Sequence, residues 1–207
     1  MLLENYLSEN FPDLKLKAPL FYHQKFGLRF EVAIPTLNPV NIQYFIEADK
    51  RTIKLFESVF DLNDEVIIVC QRYSDGRQKI KKNSFCYKYI DNYSQVESYK
   101  IQDPYFSLED KDLYNKKDHW HQLAIHTNIS SVNYSKFLWR SIRYDFGYGG
   151  IETYFINKTK NIIFHNYDDR GLDIIAKDKK TLMNIYLEFN DWILDYDREK
   201  IDLVFKN

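Results

Sequence analysis

The chain has 207 residues, with 29 Lys and Arg against 30 Asp and Glu and a formal net charge of −1. It carries 17 Tyr, 15 Phe and 3 Trp but only 6 Gly and 5 Pro. That much apolar area excludes a disordered or low-complexity chain, and the balanced charge gives no global drive toward nucleic acid or an anionic membrane. A domain of this size buries about 70% of the surface its unfolded chain exposes, so it needs no disulfide or structural metal to fold. Cys70 and Cys86 are therefore read as free thiols of a reducing compartment. The opening Met1-Leu2-Leu3-Glu4-Asn5-Tyr6 lacks the basic segment and apolar run of a signal peptide, and no window approaches the ~18 apolar residues of a membrane span. A cytoplasmic protein with no membrane partner is the expectation.

In chain order, Leu28 to Ile34 alternates with period two and predicts a half-buried strand, ended by Pro35 and Pro39. Ile42, Phe45, Ile46, Ile53, Phe56 and Phe60 fall on one stripe and predict a long amphipathic helix. Val66 to Cys70 is a continuous β-branched run, expected as a central strand covered on both faces. Ser84 to Ile90 alternates, with Phe85, Tyr87 and Tyr89 sharing a face, and is expected as a strand. The polar stretch Leu108 to Asp118 is read as a long loop, and Trp120 to Ile125 as a strand.

Tyr134, Phe137, Leu138 and Ile142 mark a helix with Asn133 or Ser131 as N-cap, ending near Gly147. Ile151 to Ile156 and Asn161 to Phe164, joined by Asn157-Lys158-Thr159-Lys160, predict a β-hairpin. The turn Asp168-Asp169-Arg170-Gly171 leads to a strand over Leu172 to Ala176. Asp178 can cap a helix carrying Leu182, Ile185, Tyr186, Phe189 and Ile193, and a last helix starts near Asp195 and carries Ile201 and Phe205. No repeat and no Pro-, Gly- or Ser-rich linker divides the chain. The order predicts one α+β domain over residues 1–207, a mixed or antiparallel sheet with amphipathic helices packed on it.

Four segments carry chemistry worth weighing. His119, His121 and His126 are ligand types for zinc, but in a strand the first two share a face that the third does not, so no metal site is expected and the first two are read as surface imidazoles. Asp168, Asp169, Arg170 and Asp173 form a polar cluster that can act as acid, base or phosphate clamp. The plainer account is a tight turn, with Gly171 at positive φ and Arg170 paired to Asp168 or Asp173. The run from Asn190 to Asp202 holds Asp191, Asp195, Asp197, Glu199 and Asp202 against Arg198 and Lys200. Those acids suit a helix start, and with Trp192 and Tyr196 they also offer an acidic, aromatic surface to a basic partner. Arg72 to Lys88 holds Arg72, Arg77, Lys79, Lys81, Lys82 and Lys88 against Asp75, a pattern that can serve RNA but more often makes a solvated loop. Gly147-Tyr148-Gly149-Gly150 lacks the Lys-Ser/Thr of a phosphate-binding loop and reads as a flexible connection. No catalytic constellation and no cofactor motif is found.

The last third resembles a known bacterial family. Asp145-Phe146-Gly147, Tyr154 to Asn157, the run Ile163 to Ala176 with Tyr-Asp-Asp-Arg-Gly at 167–171, and Tyr186 to Arg198 are similar to the family called domain of unknown function 3885. The resemblance covers about 145–205. It implies a bacterial protein and carries over no activity. The expectation is a non-catalytic partner-binding protein, such as an immunity or antitoxin-like protein with a toxin as partner, contacting it through Asp191, Trp192, Asp195, Tyr196 and Asp197. The alternatives are an enzyme acting on a phosphate-containing substrate, with Asp168, Asp169, Arg170 and Asp173 at its centre, and RNA binding through residues 72–88.

Overall fold

The computed structural model describes residues 2–74, 79–105, 119–148 and 150–206. Among the described residues seven strands form one antiparallel sheet: β1 (Gly27–Glu31), β2 (Glu65–Ser74), β3 (Gln95–Ile101), β4 (His119–Asn128), β5 (Glu152–Asn157), β6 (Ile162–Asn166) and β7 (Gly171–Ala176). Their order across the sheet is β1-β7-β6-β5-β2-β4-β3. The helices are α1 (Leu2–Asn10), α2 (Ile42–Val59), α3 (Phe85–Lys88), α4 (Tyr134–Ile142), α5 (Lys179–Glu188) and α6 (Asp195–Phe205). This is an α+β domain, as composition and pattern predict. Among the described residues no helix is long and apolar enough to cross a membrane.

The strand period of two sorts the side chains onto two unlike faces. Val66, Ile68, Leu123, Ile125, Phe155, Phe164, Leu172 and Ile174 face α2, α4, α5 and α6 and make the larger core. Phe56 of α2 is its hub, stacked on Phe60 at 4.2 Å and edge-on to Phe155 and Phe164 at 5.0 and 5.2 Å. Ile67, Val69, Ala124, Tyr154, Ile156, Ile163 and Ile175 face the other way, under α1 and the chain from Phe11 to Leu20. The β-branched run at β2 is thus covered on both faces. Asn41 caps α2 by accepting from Gln43 N at 2.9 Å, and Asp178 caps α5 by accepting from Thr181 N at 2.9 Å.

The second face is crossed by polar residues. Tyr99, Gln122 and Gln71 are cross-strand partners, and Gln71 is opposite Glu152. Tyr154 donates to Glu152 at 2.8 Å and stacks on His165 at 4.0 Å, His165 is opposite Asp173, and Asp173 is opposite Arg29. A belt of hydrogen-bonding side chains therefore runs from β3 to β1 beneath the N-terminal segment. At the β3 end Glu97 accepts from the first amides of α1, Leu2 N and Leu3 N, and from His126 at 2.8 Å.

Three expectations are corrected. Ser84 to Ile90 is not a strand: Phe85–Lys88 is the short helix α3, because Phe85 and Tyr89 share a spacing of four and both pack on Phe137, at 5.5 and 5.6 Å. His121 is not a surface imidazole but buried, accepting from Ile80 N at 3.2 Å and facing Ser98 Oγ at 3.1 Å. His126 does lie on the opposite face, as strand parity requires. Gly171 does not take positive φ, which among the described glycines belongs to Gly147 and Gly150. It opens β7, opposite Glu31, and a Cβ there would lie 1.9 Å from the Tyr167 hydroxyl oxygen. The loop expected at Leu108 to Asp118 lies outside the described residues, except that β4 begins at His119.

Gly171→Ala should therefore destabilise the fold by about 1–3 kcal/mol through overpacking against Tyr167. Most of that loss should vanish in a Tyr167→Ala background, which a double-mutant cycle in denaturant reads directly. An equal loss in both backgrounds would place the cost in the backbone instead.

Candidate functional site

The two family-like motifs meet at the β1 edge, and a residue from the N-terminal part of the chain joins them. Arg29 projects from β1 onto the belt face. Its Nη1 donates to Asp197 Oδ2 at 3.0 Å and to the Tyr22 hydroxyl at 2.9 Å, and its Nε donates to the Tyr167 hydroxyl at 3.1 Å. Asp173 Oδ1 lies 3.6 Å from the same Nε, while Asp173 Oδ2 accepts from Phe21 N at 3.1 Å. Tyr22 in turn donates to Asp197 Oδ1 at 2.8 Å. Backbone pairing completes the junction. Leu194 N donates to Arg29 O, Phe30 bridges Ile193, and Val32 N donates to Arg170 O.

Asp173 is fully buried, and loss of hydration drives its carboxyl up to about 7; the bond from Phe21 N and the Arg29 charge offset only part of that. His165 beside it is fully buried too, and burial pushes its imidazole down to about 3. Neither imidazole nitrogen, nor Asp173 Oδ1, has a hydrogen-bond partner among the described residues.

The turn at 168–171 is a separate structure. Asp168 Oδ1 accepts from Arg170 N at 2.8 Å and from Gly171 N at 2.9 Å, which closes the turn without help from a left-handed glycine. Asp168 Oδ2 holds the Arg170 guanidinium at 2.5 Å, and Arg170 reaches Asp145 at 3.4 Å. Asp169 accepts from the Tyr44 hydroxyl at 2.5 Å. Ligand atoms of Asp145, Asp168 and Asp169 lie within 4.8 Å of one another, so these are the carboxylates that could hold a cation; Arg170 supplies positive charge at that spot. The cluster expected at 168, 169, 170 and 173 is thus divided. Asp145 joins the first three, and Asp173 belongs with Arg29.

The acidic C-terminal segment is divided as well. Asp191 is exposed, Tyr196 is 85% exposed, and the Asp195 side chain is 95% exposed. Asp197 is instead turned inward onto Arg29, a correction to its reading as a surface contact. Trp192 is half-buried against Phe189, with the cations of Arg51 and Lys54 over its ring at 5.2 and 5.7 Å. Arg198 is spent on the chain itself, donating to the carbonyls of Asn190 and Ile193 at 3.1 and 3.0 Å. The outer face of α6 borders a shallow groove of about 560 Å³ lined by Asp195, Arg198, Glu199, Asp202, Leu203 and Lys206.

In the basic segment, residues 75–78 lie outside the described ones. Lys81 and Lys82 are exposed, Cys86 is buried in the core, and Phe85 and Tyr89 pack on Phe137 instead of forming a stacking face. Sequence reasoning singled out neither Arg29 nor Tyr22 and Tyr44. A lone arginine between Leu28 and Phe30 reads as the solvent side of a strand, and its acidic partners lie far along the chain.

The family model described as "Domain of unknown function (DUF3885)" matches residues 3–197, well beyond the last third that carries the resemblance. The chain is 26% identical over 220 residues to "Uncharacterized protein YnaE" of Bacillus subtilis (strain 168), covering 95% of this chain and 99% of that protein. No solved structure matches.

The Asp173 carboxyl gives a signed pH dependence. Its folded value of about 7 lies above the ordinary 3.8, so between those values the folded state holds a proton that the unfolded state has released. Its contribution is fully present below about pH 4 and is lost as pH rises to 7. Asp173→Asn should gain stability relative to the native chain across that window, measured by urea denaturation at its two ends. Parallel stability curves would show that Asp173 does not titrate there.

Proposed function

We propose that this chain, which belongs to the DUF3885 family, is a non-catalytic partner-binding protein, and that its partner is a basic protein seated on the outer face of α6. The observation that carries the reading is Tyr196. A large aromatic that is 85% exposed beside a groove lined by Asp195, Glu199 and Asp202 with Arg198 and Lys206 has the character of an interface anchor, since aromatics gain most when a partner desolvates them. The charge points the same way. Asp191, Asp195 and Glu199 are exposed, Arg198 is turned back onto backbone carbonyls, and Lys200 lies over the rings of Phe21 and Tyr22 at 4.8 and 5.0 Å. The surface left for a partner is acidic and rigid, because Asp197 ties the first turn of α6 to the sheet.

An immunity or antitoxin-like protein that neutralises a basic toxin in the cytoplasm fits these features. The two buried free thiols, Cys70 and Cys86, support a reducing compartment. The four polar residues named for a phosphate-processing centre do not converge on one cavity, which weighs against that alternative.

Asp195→Lys with Glu199→Lys should abolish capture of a basic protein from host lysate that the native chain retains. A control reversal on α1, Glu9→Lys, should leave capture intact. With that protein purified, the double variant should slow association and flatten its salt dependence, while Tyr196→Ala should mainly speed dissociation. Asp195 makes no side-chain cap and only an exposed ion pair with Arg198, so the variants keep the fold. Unchanged kinetics in a folded double variant would remove α6 as the interface.

A further inference from the structure

Arg140, in the last turn of α4, and Arg143, the residue that caps its C-terminus, stand three residues apart and so lie on one side of the helix end. Their guanidiniums alternate with aromatic rings. Arg140 lies 4.2 Å from the Phe85 centroid and 5.2 Å from that of Tyr148; Arg143 lies 4.4 Å from Tyr148 and 5.5 Å from Trp139. Both cations therefore rest on one tyrosine. Among the described residues no carboxylate pairs with either, and Asp145, two residues beyond Arg143, is committed to Arg170.

The donors of the two side chains are divided by burial. Each Nε is buried and without a hydrogen-bond partner, and Arg140 Nη2 donates to Tyr148 O at 3.4 Å. Arg140 Nη1 and both Nη groups of Arg143 make no hydrogen bond among the described residues and are not among the buried atoms, so they open outward. The rings hold these side chains still, which removes the ordering cost that two flexible arginines impose on a ligand. The negative end of the α4 dipole offsets part of the repulsion between the cations but uses none of the outward N–H groups.

We propose that Arg140 and Arg143 form a binding site for a phosphate dianion, free or carried on a small molecule. Two unneutralised guanidiniums match a double charge, and the planar fork of arginine matches its oxygens in pairs. A carboxylate would leave one charge unmet. Phe45, whose ring lies 6.0 Å from Arg143, and Phe146, packed on it at 4.8 Å and 45% exposed, offer an apolar wall to the rest of an ester. The site lies on α4 and stands independently of the α6 face.

The buried Nε–H groups of Arg140 and Arg143 are the reporters, since burial slows their exchange enough for NMR detection. Inorganic phosphate, phenyl phosphate and acetate are titrated at constant ionic strength at ~pH 8, above the second phosphate pKa of about 6. Saturable shifts of both signals with either phosphate are expected, with acetate at least about tenfold weaker. Phenyl phosphate binding tighter than inorganic phosphate identifies an ester as the preferred form; equal binding identifies the free ion. Arg143→Lys keeps the charge but loses the fork and should weaken binding by about tenfold. Shifts that do not saturate, or that acetate reproduces, overturn the proposal in the native chain without reference to any variant. So does a folded Arg143→Lys that binds phosphate as tightly as the native chain.

Discussion

Arg29 is the constraint on which the rest of the β1 edge depends. One guanidinium donates to Asp197 from α6 and to the hydroxyls of Tyr22 and Tyr167, and stands 3.6 Å from the carboxyl of Asp173 on β7. Removing a partner from such a network leaves another charge buried and uncompensated, which costs far more than the pair contributes. The arrangement thus explains why two acidic motifs that read as surface chemistry are partly internal. Asp173 and Asp197 face one buried cation, whereas Asp195 and Asp202 meet theirs, Arg198 and Lys206, on the surface of α6.

The same logic extends across the sheet. A face that was wholly apolar would bind the N-terminal segment without fixing how it lies. The belt from Tyr99 through Gln122, Gln71, Glu152, Tyr154, His165 and Asp173 to Arg29 supplies directional partners. Phe21 N on Asp173 and Ala18 N on the Tyr105 hydroxyl use it to place the covering chain. Burial carries a penalty here, visible in the raised carboxyls of Glu152 and Asp173 and the lowered imidazole of His165. The opposite face, built on Phe56, Phe155 and Phe164, carries most of the apolar burial and confines its buried polar groups, such as His121, Asn157 and Asn166, to strand ends.

What the sequence made legible was local. The helices α2, α4, α5 and α6 follow from their stripes, with α5 also from its Asp178 cap, and β2, β5, β6 and β7 from periods and turn residues. Phe85 to Tyr89 misled because aromatics at 85, 87 and 89 satisfy period two while 85 and 89 also satisfy a helical turn; only the position of Phe137 decides between them. Gly171 misled in another way. A glycine after Asp-Asp-Arg matches a left-handed turn, but the turn is closed by the Asp168 carboxylate, and the missing side chain makes room for Tyr167. The site was half legible: Tyr196 and Asp195 are outside as expected, whereas the inward turn of Asp197 depends on Arg29, a partner that no local pattern announces.

The pairing of β1 with β7 joins residues far apart along the chain, Gly27 with Ile175 and Glu31 with Gly171. On the ribosome, β1 emerges early and has no strand to pair with until β7 has been made. Through that interval its amides and carbonyls stay open, and the charge of Arg29 has none of its acidic partners. Such long-range closure slows folding, because the chain between the two strands must be ordered before their pairing is gained. Closing the sheet also brings Asp173 and then Asp197 to Arg29, so the edge strand and the first turn of α6 are fixed by the same long-range step.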